Sequence, residues 1–103
     1  MYIVTGGSGF IGSRLIKRLN EQKINNIILV DKKKNKFKDI KFHMFVHSSR
    51  FINNIDKFLK KKIKCIFHLG ANSRTTEKNL KSILNDNYNF SLKVIEKATQ
   101  LKI

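Results

Sequence analysis

Gly6, Gly9 and Gly12 stand at three-residue intervals in TGGSGFIG, between a short apolar run and an amphipathic one. This spacing suits a phosphate cradle. Gly6 lets the chain turn sharply out of a strand. Gly9 has no Cβ, so the backbone can come close to a pyrophosphate, and Gly12 lets the next helix pack tightly on the sheet. A helix starting here aims free N–H groups and its positive dipole end at the anion, with the amides of Phe10 and Ile11 as donors. Asp31 stands 19 residues beyond Gly12, closing a second apolar run. A carboxylate there accepts hydrogen bonds from an adenosine ribose. Lys32, Lys33 and Lys34 follow it. A lone acid repels a 2′-phosphate and favours NAD, whereas neighbouring cations offset the repulsion and admit NADP. The pattern is compatible with either and leans to NADP.

Other reactive side chains are less organised. His68 ends the run KCIFHL without a second ligand at metal spacing, and it reads as a packed residue. His43 and His47 are four apart within or beside a strand, where that spacing makes no clear metal pair. No metal site is assigned. Cys65, the single cysteine, excludes an internal disulfide and fits a reducing, cytoplasmic setting. Ser73, Thr75 and Thr76 are placed to meet a cofactor or substrate phosphate, or to cap a helix whose first turn holds Glu77.

The elements that must position these residues alternate. Strands are expected over 2–5, 27–30, 40–46 and 64–69, and helices over 10–22, 51–62 and about 80–101. In the first helix Ile11, Leu15, Ile16 and Leu19 share a face. In the last, Leu84, Tyr88, Ser91, Ile95 and Ala98 do, widened by Val94 and Leu101. The all-apolar run Ile27-Ile28-Leu29-Val30 suits a parallel strand covered on both faces. The alternation argues an α/β fold, a parallel sheet with flanking helices and right-handed crossovers.

The chain has 103 residues, 41% of them hydrophobic, which makes one small domain or part of a larger one. Its apolar runs fall far short of the ~20 residues that span a bilayer, and no secretory leader is visible. The net charge of +15 could attract nucleic acid. However, the lysines are scattered and no aromatic residues interleave with them as in a single-strand stacking platform. The abundance of Lys, Asn and Ile and the absence of Pro are what AT-rich coding writes onto exposed surfaces. A nucleic-acid partner is therefore disfavoured.

TGGSGFIG resembles the nucleotide loop of the extended short-chain dehydrogenases. The stretch IFHLGANSRTTEKNLKSILNDNYNFSLKVIEKA is similar to the ADP-L-glycero-D-manno-heptose 6-epimerases, whose fourth strand runs into a GA-x-S-x-TTE loop and a helix carrying D-N-N-Y. The resemblance covers the whole chain. It implies a Rossmann-like domain over 1–103, truncated after about four strands, that binds NADP (or NAD) as cofactor. The family oxidises the heptose of its ADP-sugar at C6″ and returns the hydride to the opposite face, making a lipopolysaccharide precursor. Carried over, Phe10 and Ile11 meet the pyrophosphate. Asp31 and Lys32 lie at the adenosine ribose, with Lys36 toward the adenine. Leu69, Gly70, Ala71, Asn72 and Ser73 form the loop beside the cofactor.

This chain departs from the family at four points, one of them a family lysine after the third strand that has no clear counterpart here, Arg50 lying nearby. Leu69 replaces a Glu, and Asp86 replaces the first Asn of D-N-N-Y. The Tyr-x-x-x-Lys pair that the resemblance requires for acid–base work is missing. Tyr2 is followed four residues later by Gly6, and Tyr88 by Leu92. No catalytic residue is therefore assigned, and activity on an ADP-heptose would need a further segment to supply that pair. Part of another NAD-dependent sugar-nucleotide epimerase or dehydratase, a basic nucleotide- or nucleic-acid-binding module, and a product without function are the rival readings. The fourth strand is expected to lie at a sheet edge, with marginal stability and a tendency to aggregate.

Overall fold

The computed structural model describes residues 1–34, 36–70 and 89–103. One parallel sheet is built from β1 (Tyr2–Thr5), β2 (Ile27–Asp31), β3 (Met44–His47) and β4 (Cys65–His68). Its spatial order is β3-β2-β1-β4, the start of a Rossmann arrangement. The described helices are α1 (Phe10–Glu21), α2 (Ser48–Asn53), α3 (Ile55–Leu59) and α4 (Phe90–Gln100).

β1 and β2 are apolar at nearly every position because both faces of the sheet are covered. On one face Ile3, Ile28 and Val30 meet Phe51, Ile55, Phe58, Leu59 and Val94 of α2, α3 and α4. On the other, Val4, Ile27 and Leu29 meet Ile16 of α1 and Ile40. The register pairs Thr5 with both Val30 and His68, and Asp31 with His47. The C-terminal strand ends thus form one rim, and the glycine turn leaves from its middle.

Helix α1 stops in a hydrogen-bonded cap. Ile24 N–H donates to Leu19 C=O at 2.9 Å and Lys23 N–H to Asn20 C=O at 2.9 Å. Lys23 takes a left-handed φ of 63°, where such caps usually carry glycine. Asn20 then reaches across the sheet's edge. Its Oδ1 accepts from Lys41 N–H at 2.7 Å and its Nδ2 donates to Lys41 C=O at 2.9 Å.

These bonds explain one departure from the expected elements. Residues 40–42 are not strand, since Asn20 holds Lys41 beside α1 and Ile40 is buried as loop. Pairing with β2 begins at His43, whose N–H meets Ile27 C=O at 2.8 Å. The helix expected over 51–62 starts earlier, capped by His47, and is interrupted at Asn54 (φ −125°, ψ 29°). In α4 the buried residue is Val94, while Ile95 (57% exposed) and Leu101 point outward, so the expected face is rotated. In α1, Ile11 belongs to solvent rather than to the core, at 72% exposure. β4 pairs with β1 alone among the described strands, as expected of an edge. Among the described residues no helix is long and apolar enough to cross a membrane.

Candidate functional site

The glycine turn is closed by its own backbone. Gly6 has φ +74°, and a Cβ there would fall 2.7 Å from the carbonyl carbon and oxygen of Leu69. A Cβ on Gly12 would strike the Gly6 carbonyl oxygen and lie 2.7 Å from Gly7 Cα. Gly12 therefore packs the helix against the turn itself, not against the sheet. Gly7, which the spacing did not single out, performs the sheet contact. A Cβ there would lie 2.8 Å from Leu29 Cγ and 3.0 Å from Ile16 Cδ1. Gly9 differs from these, since a Cβ on it would meet only Gly6 C=O, at 3.5 Å, and otherwise open space.

Gly9 is also the N-cap of α1, and no side chain caps the helix. The N–H groups of Phe10, Ile11 and Gly12 enter no hydrogen bond among the described residues. The helix start therefore offers donors and a positive dipole end to an anion. Ser8 Oγ, within the turn, is buried without a hydrogen-bond partner among the described residues. A buried hydroxyl left in this way is uncommon in a native fold unless something else satisfies it.

Asp31 is tied to the turn. Its Oδ2 accepts Ser8 N–H at 3.0 Å and its Oδ1 accepts Lys32 N–H at 2.7 Å. Beyond it the chain folds over α1. The Phe37 ring meets Phe10 edge-on (centroids 6.5 Å), and the Arg14 guanidinium lies 5.2 Å from its centre. Arg14 also bonds Asp39 at 3.0 and 3.2 Å, and this hydrogen bond holds Asp39 below the usual carboxylate range. Lys36, next to Phe37 in the chain, is exposed. The sequence carried no signal for Phe37 or Arg14, because their contacts depend on how the charged loop folds back.

On the other side of the turn, β4 delivers Leu69 and Gly70. Leu69 is 43% exposed, and Gly70 N–H donates to Thr5 Oγ1 at 3.0 Å. Thr5 Oγ1 lies 2.6 Å from His68 Nδ1, and His68 Nε2 lies 2.7 Å from Ser91 Oγ in α4. The His68 ring stacks on Phe90 (centroids 5.5 Å, 16°), and burial pulls its pKa below the ordinary histidine value. His68 is thus packed, as the sequence suggested, but it is also hydrogen-bonded at both nitrogens. Thr5, a hydroxyl inside an otherwise apolar strand, was the available clue. Ala71, Asn72, Ser73, Thr75, Thr76, Glu77 and Asp86 lie outside the described residues.

A crossed parallel rim, an uncapped helix start and an acid at the next strand end are together the features of a dinucleotide fold. Residues 2–103 match the NAD dependent epimerase/dehydratase family. The chain belongs to this family. It is 36% identical over 110 residues to the ADP-L-glycero-D-manno-heptose-6-epimerase of Brachyspira hyodysenteriae (strain ATCC 49526 / WA1), covering 100% of this chain and 35% of that one. Among solved structures it is similar to a monomeric L-threonine 3-dehydrogenase from a metagenome, with TM-score 0.78 and 30% identity over 99% of this chain and 33% of that one. It is also similar to the ADP-L-glycero-D-manno-heptose-6-epimerase of Helicobacter pylori, with TM-score 0.75 and 26% identity over 98% of this chain and 36% of that one. The chain spans about a third of the length of these relatives. A nicotinamide dinucleotide is the cofactor that the family's description implies. The open face at Gly9, the unbonded N–H groups and the orphaned Ser8 hydroxyl fit its pyrophosphate.

Proposed function

We propose that this chain is the dinucleotide-binding part of an ADP-heptose 6-epimerase and takes NADP, with NAD as the weaker cofactor. The observation that carries the reading is the open Gly9 at the uncapped start of α1, with Asp31 tied to the same turn. When bound, a nicotinamide dinucleotide supplies a hydride acceptor and donor. The chain's own part is to hold and orient it. The N–H groups of Phe10 and Ile11 would hold the pyrophosphate, passing over Gly9. Asp31 would accept from the adenosine ribose, with Lys32 and Lys36 flanking it. Leu69, Gly70, Ala71, Asn72 and Ser73 would line the other side.

ADP-D-glycero-D-manno-heptose is the substrate of this reading, which makes the whole protein an isomerase serving lipopolysaccharide synthesis in the cytoplasm. The 36% identity to the Brachyspira relative and the TTE and NDNY stretches support it. Neither Tyr2 nor Tyr88 has a lysine four residues on. The chain alone is therefore assigned no acid–base step.

Titration with NAD and with ADP-ribose tests the reading. Apart from Leu69 and Gly70, all the proposed contacts on described residues lie at the adenosine and pyrophosphate half. ADP-ribose is therefore expected to bind within about tenfold of NAD, or about 1.4 kcal/mol. Binding of NAD without ADP-ribose would contradict this placement. Epimerisation of ADP-heptose by this chain alone would contradict the division of labour.

A further inference from the structure

The Thr5–His68–Ser91 chain of hydrogen bonds has a direction. His68 meets two hydroxyls, Thr5 Oγ1 at 2.6 Å and Ser91 Oγ at 2.7 Å. Thr5 is 1% exposed, and its Oγ1 already accepts Gly70 N–H. Its own proton therefore needs an acceptor, and His68 Nδ1 is the one within reach. That requires the neutral tautomer with its proton on Nε2, which then donates to Ser91 Oγ. In this state Thr5 and both ring nitrogens are satisfied, and the one hydroxyl proton left over belongs to the half-buried Ser91 rather than to the buried Thr5. A protonated ring would present N–H to Thr5 as well as to Ser91. The Thr5 proton would then be buried without an acceptor, which is costly in the low dielectric of a core. Among the described residues, the groups facing the ring from β1 and α4 are Thr5, Ser91 and Phe90, and none of them ionises.

The consequence reaches the glycine turn. Thr5 Oγ1 holds Gly70 N–H, and Leu69 N–H bonds Thr5 C=O at 3.0 Å. Gly6 packs directly on these two residues, where even a Cβ would lie 2.7 Å from Leu69 C=O and 2.9 Å from Gly70 N. The path from α4 to the turn is therefore continuous: Ser91, His68, Thr5, Gly70, Gly6. We propose that His68 is a positioning residue for the glycine turn, whose neutral ring fixes Gly6 through Thr5 and Gly70, and whose protonation loosens the turn's hold on a nucleotide pyrophosphate. This rests on the cofactor reading above, and it adds a pH dependence that originates in the protein. Burial, which favours the neutral ring, acts in the same sense.

Two measurements on the whole chain test it. The first follows the amide resonances of Gly6 and Gly70 in the nucleotide-free protein between about pH 8 and pH 5.5, the range of histidine titration. They are expected to shift with the His68 ring in the native chain and to stay flat in His68→Asn, whose side-chain oxygen still accepts from Thr5 but does not titrate. The second measures NAD affinity over the same range. NAD is the probe because it lacks the 2′-phosphate, which itself ionises there. Affinity is expected to fall as His68 takes up its proton, by up to about threefold at the acid end of the range, in the native chain but not in His68→Asn. Thr5→Ser is expected to preserve the pH profile and Thr5→Val to abolish it. Glycine amides that ignore the titration of His68 would overturn the proposal whether or not nucleotide binds. So would moving amides with a pH-independent NAD affinity. Moving amides with no nucleotide binding at any pH would overturn the cofactor reading and the inference that rests on it.

Discussion

The carboxylate of Asp31 accepts the backbone N–H of Ser8 at 3.0 Å, so the acid that closes β2 also braces the middle of the glycine turn. The residue proposed to read the adenosine ribose is therefore structural as well. A hydrogen bond to a charged group contributes about 1.5–3 kcal/mol, less where water competes. Asp31→Ala is expected to lower urea stability by about 1–2 kcal/mol, and Asp31→Asn, which keeps an acceptor, by about half that. Equal stability of Asp31→Ala and the native chain would show that the bond does not brace the turn.

Gly9 and Gly12 of the motif should separate by role. The atoms nearest a Cβ on Gly12 are backbone of Gly6 and Gly7, which cannot rotate away. Gly12→Ala is expected to cost about 2–3 kcal/mol, the range of a forced overpacking. Gly9→Ala, facing open space, is expected to cost under about 1 kcal/mol. Urea denaturation of the two variants decides the matter. A fall for Gly9→Ala as large as that for Gly12→Ala would place the crowding elsewhere.

Lys23 occupies a left-handed cap position that glycine fills without strain. Lys23→Gly is expected to raise stability by about 0.5–1 kcal/mol, the relief of Cβ strain less the extra freedom of the unfolded chain. A loss of stability in the thermal melt would mean that the Lys23 side chain contributes more than its backbone costs.

Burial of His68 disfavours its charged form, so the folded chain binds a proton there less readily than the unfolded chain, whose histidine titrates near 6.5. Above that pH both forms are neutral and the contribution to stability is complete. As pH falls through 6.5 the unfolded state takes up the proton first, and stability declines until the folded ring is protonated as well. The urea midpoint of the native chain is expected to fall between about pH 7.5 and pH 5.5, and that of His68→Asn to change less. Asp39, held down by Arg14, acts in the same direction below the carboxylate value of 3.8, where its exposure to solvent leaves it a small part. Parallel pH profiles for the two chains would remove His68 from this account of stability.

Much of the nucleotide side of the fold was legible because its signals are local. The run of apolar residues in β2 announced a doubly covered strand, and the glycine spacing between β1 and α1 announced the turn. What stayed hidden depends on contacts distant in sequence. Asn20 claims the backbone of Lys41, which keeps residues 40–42 out of β3. Val94 rather than Ile95 faces the sheet, because the phase of α4 is set by the stack of Phe90 on His68 and by the core around Phe51. The usual glycine pattern points Gly12 at the sheet, whereas here Gly7 makes the sheet contact and Gly12 packs on the turn. The cradle of Phe10, Phe37, Arg14 and Asp39 arises from a charged loop whose composition does not predict its path.

The most direct measurement is isothermal titration of the folded chain with NADP and NAD at moderate salt, alongside Gly9→Val. Saturable one-site binding is expected, tighter for NADP, and weakened at least about tenfold in Gly9→Val, or about 1.4 kcal/mol. A folded native chain that binds neither dinucleotide, or binds them equally well with valine at Gly9, would contradict the assignment of the turn as the pyrophosphate site.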